Sequence, residues 1–333
     1  MKVYQLFLLF ILSLVTCKQP SQLAYPKTGS VERLDPRLDD IITVGVLPEI
    51  VADSFELRKW QLWLPEEEIL IFSDIPKNTV YQWSEEAGLK LYLNPAGYTG
   101  TLRRGGESGS NGLLHDPKGR LVLCQHGDRR MARMDASLDN PESMFITLAD
   151  NWQGKRFNSP NDAVYNSKGE LFFTDPAYGM ELKWEDPKRE IDFAGVYKLN
   201  NEGEVTLLTD TLQAPNGIGF SPDESRLYIA SSGKDASWYE YSIAEEGALR
   251  NGKLFFDAKE LKNTRKGSPD GLVVREDGII FASGPGGILI FTPEADHLGT
   301  ILTGQATSNC TLDSDGSYLY MTADMFLMRI RLK

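Results

Sequence analysis

The sequence predicts an all-β fold, a six-bladed β-propeller with four-stranded blades, and three observations predict it. First, a short apolar run opens on Asn or Asp five times, in segments 111–119 (NGLLHDPKG), 161–169 (NDAVYNSKG), 216–224 (NGIGFSPDE), 270–278 (DGLVVREDG) and the slightly shorter 309–316 (NCTLDSDG). Second, each turn is followed by another run of strand length, LVLCQ, LFFTD, LYIAS, IIFAS and LYMTA, rich in β-branched and aromatic residues. Third, the opening polar residues recur about every fifty residues with a shorter last step, the length of a four-stranded sheet, and a sixth unit at 63–74 fits the same frame upstream.

The elements follow in chain order. Residues 1–17 read as a leader: Lys2 supplies the positive start, 6–15 the apolar stretch, and LVTC ends it at Cys17. That ending resembles a bacterial lipoprotein signal, in which the cysteine becomes the lipidated first residue. Thr16 stands where such signals usually carry a smaller residue, so an ordinary cleaved secretory signal is the alternative. Either way the chain is expected to be exported, as a lipid-anchored protein of the cell envelope or, alternatively, as a soluble periplasmic or secreted one. Residues 18–40 (KQPSQLAYPKTGSVERLDPRLDD) are polar, carry several prolines and lack periodicity, which predicts a flexible tether.

Residues 41–333 are then the propeller, with no further apolar run of membrane-spanning length. Its first unit consists of 63–65, the acidic turn 66–68 and the strand ILIFSD (69–74), and the other five repeat the pattern of polar residue, strand, turn and strand. If each innermost strand starts on the same polar residue, radial symmetry brings Asn111, Asn161, Asn216, Asp270 and Asn309 to one end of the central channel. Such a ring of oxygens suits a hard cation or a polyol, although Asn and Asp at strand starts also fold back on their own backbone.

Composition narrows the partners. With 35 Lys and Arg against 47 Asp and Glu, the net charge is −12, and no basic stripe interleaved with aromatics is present, so nucleic acid is not an expected partner. The chain is expected to be a monomer that meets a membrane only through its lipid anchor. Beyond the leader only Cys124 and Cys310 remain, in different repeats, which points to two buried thiols with a disulfide as the alternative; no CxxC or Cys/His cluster supports zinc. There is no GxSxG nucleophile motif. Of the three histidines, His115 and His297 read as structural, while His126 leaves the strand LVLCQ at the rim in CQHGDRR. The glycine-rich 100–112 leads into a strand rather than a helix, so it is not a phosphate loop.

The segments FSDIPKNTVYQW, GYTG, RGGESGSNGLLHDPKGRLVLCQHGDRR, GKRFNSPNDAVYNSKGELFFTDPAYG, APNGIGFSPDESRLYIAS, SPDGLVVREDG, ASGPGGILIFTPE, HLGT and GQATSNCTL together resemble the bacterial gluconolactonase branch of the senescence marker protein (regucalcin)/gluconolactonase family. The match runs over nearly all of 51–333. It implies a six-bladed propeller with one divalent cation, usually calcium, at the channel mouth, and hydrolysis of sugar lactones. In that family a Glu of an EGPxW motif, an Asn of PNG and an Asp of PDG hold the metal; here PNG places Asn216 and PDG places Asp270, and Asn161 of PND matches a residue that faces metal or substrate.

The first ligand departs from the pattern. Aligning FELRKWQLW on Phe55 and Trp63 puts Lys59 where the Glu belongs, Trp60 for the Gly and Gln61 for the Pro. An ammonium there removes one anionic oxygen and adds a repelling charge. The resemblance then implies that the cation or Lys59 polarises the lactone carbonyl and that Asp270 orients or deprotonates water. Asn161, Asn216 and Asn111 fix the sugar, and His126 and Tyr178 close the mouth. The alternative is a catalytically impaired propeller that binds a sugar acid or a protein partner.

Overall fold

The computed structural model describes residues 25–53 and 58–333, with side chains of the strand residues Arg58 and Lys59 left aside. Among these residues there are six sheets, five with four strands and one with five, and a separate two-stranded hairpin (Asn151–Trp152 with Lys155–Arg156). The innermost strands are Arg58–Leu64, Ser110–His115, Ala163–Tyr165, Pro215–Phe220, Leu272–Val274 and Thr307–Leu312, which open blades 1 to 6 in order. Each contacts the innermost strand of the next blade, and the sixth contacts the first, so the ring is closed. The propeller read from the repeat is the fold of the chain.

The core is divided by the same symmetry. Six apolar clusters each fill the gap between two adjacent blades, for example Leu64, Ile71, Val80, Leu113 and Leu123 between blades 1 and 2. This explains why the second strands are apolar without alternation: Leu121–Gln125, Leu171–Asp175 and Ile280–Gly284 are buried along their whole length, because a sheet lies against each face. Cys124 and Cys310 lie in these interfaces as buried free thiols, with burial pushing both well above the ordinary thiol range.

The ring is locked by the chain's beginning. Blade 6 takes three strands from residues 307–331, and its outermost strand, Glu49–Ala52, comes from the N-terminal side and pairs antiparallel with Phe326–Arg331. Opening the ring at this point would therefore break a β-ladder as well as a side-chain interface.

Here the tether expectation needs correction. The leader, including Cys17, lies outside the described residues, but from Tyr25 onward the stretch expected to be a tether is part of the body. Ser30–Arg33 adds a fifth strand to blade 5 against His297–Leu302, and Arg265 grips Glu32 through two hydrogen bonds of 2.9 Å. A 3-10 turn, Pro36–Asp40, is capped by Asp35 accepting from the Arg37 N–H, and it inserts Leu38 between blades 5 and 6, fully buried. Removing a buried leucine side chain costs on the order of 2–5 kcal/mol, against at most about 1 kcal/mol for a part-exposed ion pair. Leu38, one apolar residue among polar neighbours, decides that the segment docks.

Candidate active site at the channel mouth

The first and second strands of each blade meet at one end of the channel. Ser110 pairs with Gln125, Pro215 with Ser231 and Asn309 with Thr322, while the Asn161 N–H donates to Thr174 O (2.8 Å) and the Asp270 N–H to Ser283 O (3.1 Å). Lys59 pairs with Ser73 in the same register, so its backbone sits at the level of Asn161, Asp270 and Asn309. Its side chain lies outside the described part of the structure. The level named by the repeat is thus one ring.

Bonds between blades hold that ring together. Gly112 N–H donates to Asn161 O (2.8 Å), Gly217 N–H to Asp270 O (3.0 Å) and Gly271 N–H to Ser308 O (2.8 Å). Ser73 Oγ donates to Asn111 O (3.2 Å), Thr174 Oγ1 to Asn216 O (2.8 Å), and Gln61 closes the circle by donating to Tyr320 O and accepting from Thr322 Oγ1, both at 3.0 Å. The close approach also explains why glycine follows the polar residue: a Cβ on Gly217 would lie 2.2 Å from Asp270 O, and one on Gly271 would lie 2.2 Å from the Asn309 side chain.

The side chains on this ring are buried yet in part unpaired. Asn111 and Asn161 are 0 % exposed and Asn216 is 1 % exposed. The Oδ1 atoms of all three, and Nδ2 of Asn161, have no hydrogen-bond partner among the described residues. Leaving a buried polar group unsatisfied costs about 1–3 kcal/mol, so several together at one mouth mark a place prepared for a polar ligand. Asp270, half-buried, adds a carboxylate from blade 5, whose backbone is gripped by Gly217. Asn309 does not join them: its Oδ1 accepts its neighbour's Cys310 N–H at 2.6 Å.

The other expected site residues are placed as follows. His126 is fully buried, and its Nε2 lies 3.1 Å from Asn111 Nδ2, while its Nδ1 faces Glu107 Oε2 at 3.5 Å. It stands behind Asn111 and orients that amide. Gly179, next to Tyr178, packs against the His126 ring so closely that a Cβ would be 2.6 Å from it, and Tyr178 meets Trp184 edge to face at 5.6 Å. Arg104 ties this rim together by donating to the carbonyls of His126 and Gly179. His297, bonded to Thr300, and His115, in an inner strand, lie away from the ring as expected.

Several supporting residues were not singled out in the sequence. Ser232 accepts from Asn216 Nδ2 at 2.8 Å and donates to Pro269 O, linking two ring segments. Asp162 takes the place of the glycine in blade 3 and accepts from Ile218 N–H (2.8 Å) and Ala163 N–H (2.7 Å), with the Trp60 indole as a further donor. Burial pushes its carboxyl well up, against those donors.

Asp175 holds the loop that carries Asn161, accepting from Asn158 N–H (2.8 Å) and Ser159 N–H (2.7 Å). Burial pushes its carboxyl from 3.8 up to about 7, while those two donors, Arg129 and Arg189 pull it down. The folded protein thus keeps a proton that the unfolded chain releases above about pH 4, so stability falls as pH rises from there to about 7 and then levels. Unfolding free energies from urea titrations across this window should fall for the wild type, by a total on the order of a few kcal/mol, and change less for Asp175→Asn. Parallel profiles would assign the proton elsewhere.

With this geometry established, comparison with known proteins is direct. Residues 61–324 match the family model described as the SMP-30/gluconolactonase/LRE-like region. A gluconolactonase of Zymomonas mobilis is 34% identical over 318 residues, covering 92% of this chain and 86% of the relative. A pentonolactonase of Haloferax volcanii is 27% identical over 284 residues, covering 82% and 83%. Among solved structures, a gluconolactonase from Xanthomonas campestris superposes with a TM-score of 0.80 at 26% identity, over 95% of this chain and 99% of that one.

Proposed function

The chain belongs to the SMP-30/gluconolactonase/LRE-like family, and from that premise we propose that it hydrolyses a sugar lactone at the channel mouth. The observation that carries the placement is the set of buried amide oxygens of Asn111, Asn161 and Asn216, without a hydrogen-bond partner among the described residues, beside the Asp270 carboxylate. A sugar lactone presents hydroxyl groups to such acceptors, and the Asn161 Nδ2, also unpaired, is a donor for an oxygen of the ring or carbonyl.

In this reading Asp270 takes a proton from water as the oxygen bonds to the lactone carbonyl carbon. When the tetrahedral intermediate collapses, the bond from that carbon to the ring oxygen breaks and Asp270 returns the proton to the leaving oxygen, giving an open-chain sugar acid. Asn161 and Asn216 orient the substrate, Asn111 is held in place by His126, and the Tyr178 loop forms the rim. Oxygen donors of Asn161, Asn216 and Asp270 fit a hard divalent cation by type. Among the described residues no group of three His, Cys, Asp or Glu side chains gathers, so such an ion would rest on amides and a single carboxylate. When bound, it would supply positive charge for the oxygen on which negative charge develops. Calcium is the proposed ion, held weakly because Lys59 stands at the same level.

The test is release of acid from δ-gluconolactone and pentonolactones, followed with and without chelator; no turnover of any sugar lactone would sink the reading. We further propose that the protein is exported and anchored through Cys17, on the basis of the apolar 6–15 and the cysteine that ends the leader. Cys17→Ser should move the protein from the membrane fraction to the soluble one, and unchanged retention would refute the anchor.

A further inference from the structure

Immediately beneath the oxygen ring, one residue further along blades 1 and 3, Trp60 and Asp162 meet across the channel axis. Trp60 is 5 % exposed and sits at a break in the ladder between Lys59 and Gln61, with φ at 28°, a backbone region that a bulky side chain rarely occupies. A feature of that kind persists only where its surroundings over-determine it. Here they do: the flanking Gln61 is fastened to blade 6 at both ends of its amide, and the Trp60 indole donates to the Asp162 carboxyl, itself buried and fixed by Ile218 of blade 4.

Below them the channel opens into a cavity of about 380 Å³ toward the opposite face, with Trp60, Asp162 and Asn309 among its lining. Its other walls combine apolar side chains, including Leu62, Leu113 and Leu272, with polar groups such as Ser221, Glu224 and Thr311. The two halves of the channel therefore differ in chemistry, amides and carboxylate above and a cavity with hydrocarbon walls such as Leu62, Leu113 and Leu272 among its polar groups below, and the indole lies at their boundary.

We propose that Trp60, pinned by Asp162, is the floor of the lactone site and determines its specificity, restricting it to polar lactones of a single sugar ring. This rests on the lactone reading above. With the floor in place, a substituent of the lactone ring must point out of the mouth into water, which suits hydroxymethyl and glycerol tails. Without it, an alkyl tail can pass from the ring level into the cavity below.

Trp60→Gly removes the floor and suits the backbone angle. It should lower kcat/KM for δ-gluconolactone at least tenfold, mainly through KM, and raise the ratio of δ-dodecalactone to δ-gluconolactone turnover at least tenfold. Trp60→Phe keeps a ring on the axis without its N–H and should restore most of the preference for the sugar lactone. Asp162→Asn, which loosens the indole while leaving it present, should raise KM for δ-gluconolactone more than it lowers kcat. If Trp60→Gly does not fold, Asp162→Asn carries the test. An unchanged substrate ratio in folded Trp60→Gly, or an unchanged KM in Asp162→Asn, would overturn the floor while leaving the lactonase reading intact. Wild-type protein inactive on every sugar lactone overturns the lactonase reading instead. In that case quenching of tryptophan emission by gluconate, present in wild type and lost in Trp60→Phe, still reports the floor, and its absence refutes it.

Discussion

Asp270→Asn should lower kcat for sugar-lactone hydrolysis about 10²- to 10⁴-fold, the range that a positioned acid–base group commonly contributes. The substitution keeps volume and leaves the backbone links of residue 270 to Gly217 and Ser283 untouched, so blades 4 and 5 stay joined. What it removes is the carboxylate that blade 5 brings to a ring otherwise supplied with neutral amides. An amide can still orient a water molecule, but it cannot take its proton near neutral pH. The thermal midpoint should change little, which separates lost chemistry from lost structure. A variant that retains more than about one tenth of kcat, against the range above, would show that the proton goes elsewhere. The Glu107–His126 pair behind Asn111 is then the next group to test.

The repeat made the fold legible because a propeller blade is a local unit: its turns, strand lengths and polar first residue all recur within one stretch of chain. The ring of Asn111, Asn161, Asn216 and Asp270 was legible for the same reason. A second ring was also written in the sequence but went unread. Ser73, Thr174, Ser283 and Thr322 occupy matching positions at the ends of the second strands, and each passes a hydroxyl hydrogen bond to a neighbouring blade. The period-two burial expected of an exposed sheet gives no warning of them, since these strands are covered on both faces.

What escaped the sequence is non-local. Nothing in 25–52 resembles the repeat, because those residues complete blades 5 and 6 only after the rest of the ring exists. Asp162 was overlooked beside Asn161, although it breaks the pattern at the position where three other blades have glycine. Its partners, Ile218 and Trp60, lie in blades far from it along the chain. A departure from the repeat, more than the repeat itself, marks where one blade contributes to the site differently from the others.

Lys59 is the other such departure, and replacing it should reverse its effect. If its ammonium stands at the ring level where its backbone does, a divalent cation held by Asn216 and Asp270 meets a like charge at contact distance. At about 4 Å and an effective dielectric near 20, two unit charges repel by about 4 kcal/mol, already roughly a thousandfold in affinity, and the second charge of a divalent ion doubles that energy. Wild-type protein should therefore bind calcium weakly. Lys59→Met, which removes only the repulsion, should tighten binding, and Lys59→Glu, which adds an anionic oxygen as well, should tighten it further. Calorimetric titration reads this directly, and the thermal midpoint of the Glu variant should climb with added calcium while that of the wild type barely moves. The single substitution is a cleaner test than rebuilding Glu-Gly-Pro across residues 59–61. The wider change would also cut Gln61 from Tyr320 and Thr322 and the Trp60 indole from Asp162, mixing lost packing with gained charge. Tight calcium binding by the wild type, unaltered in both variants, would place the Lys59 side chain outside the coordination sphere and leave the ring's own oxygens sufficient to hold the ion.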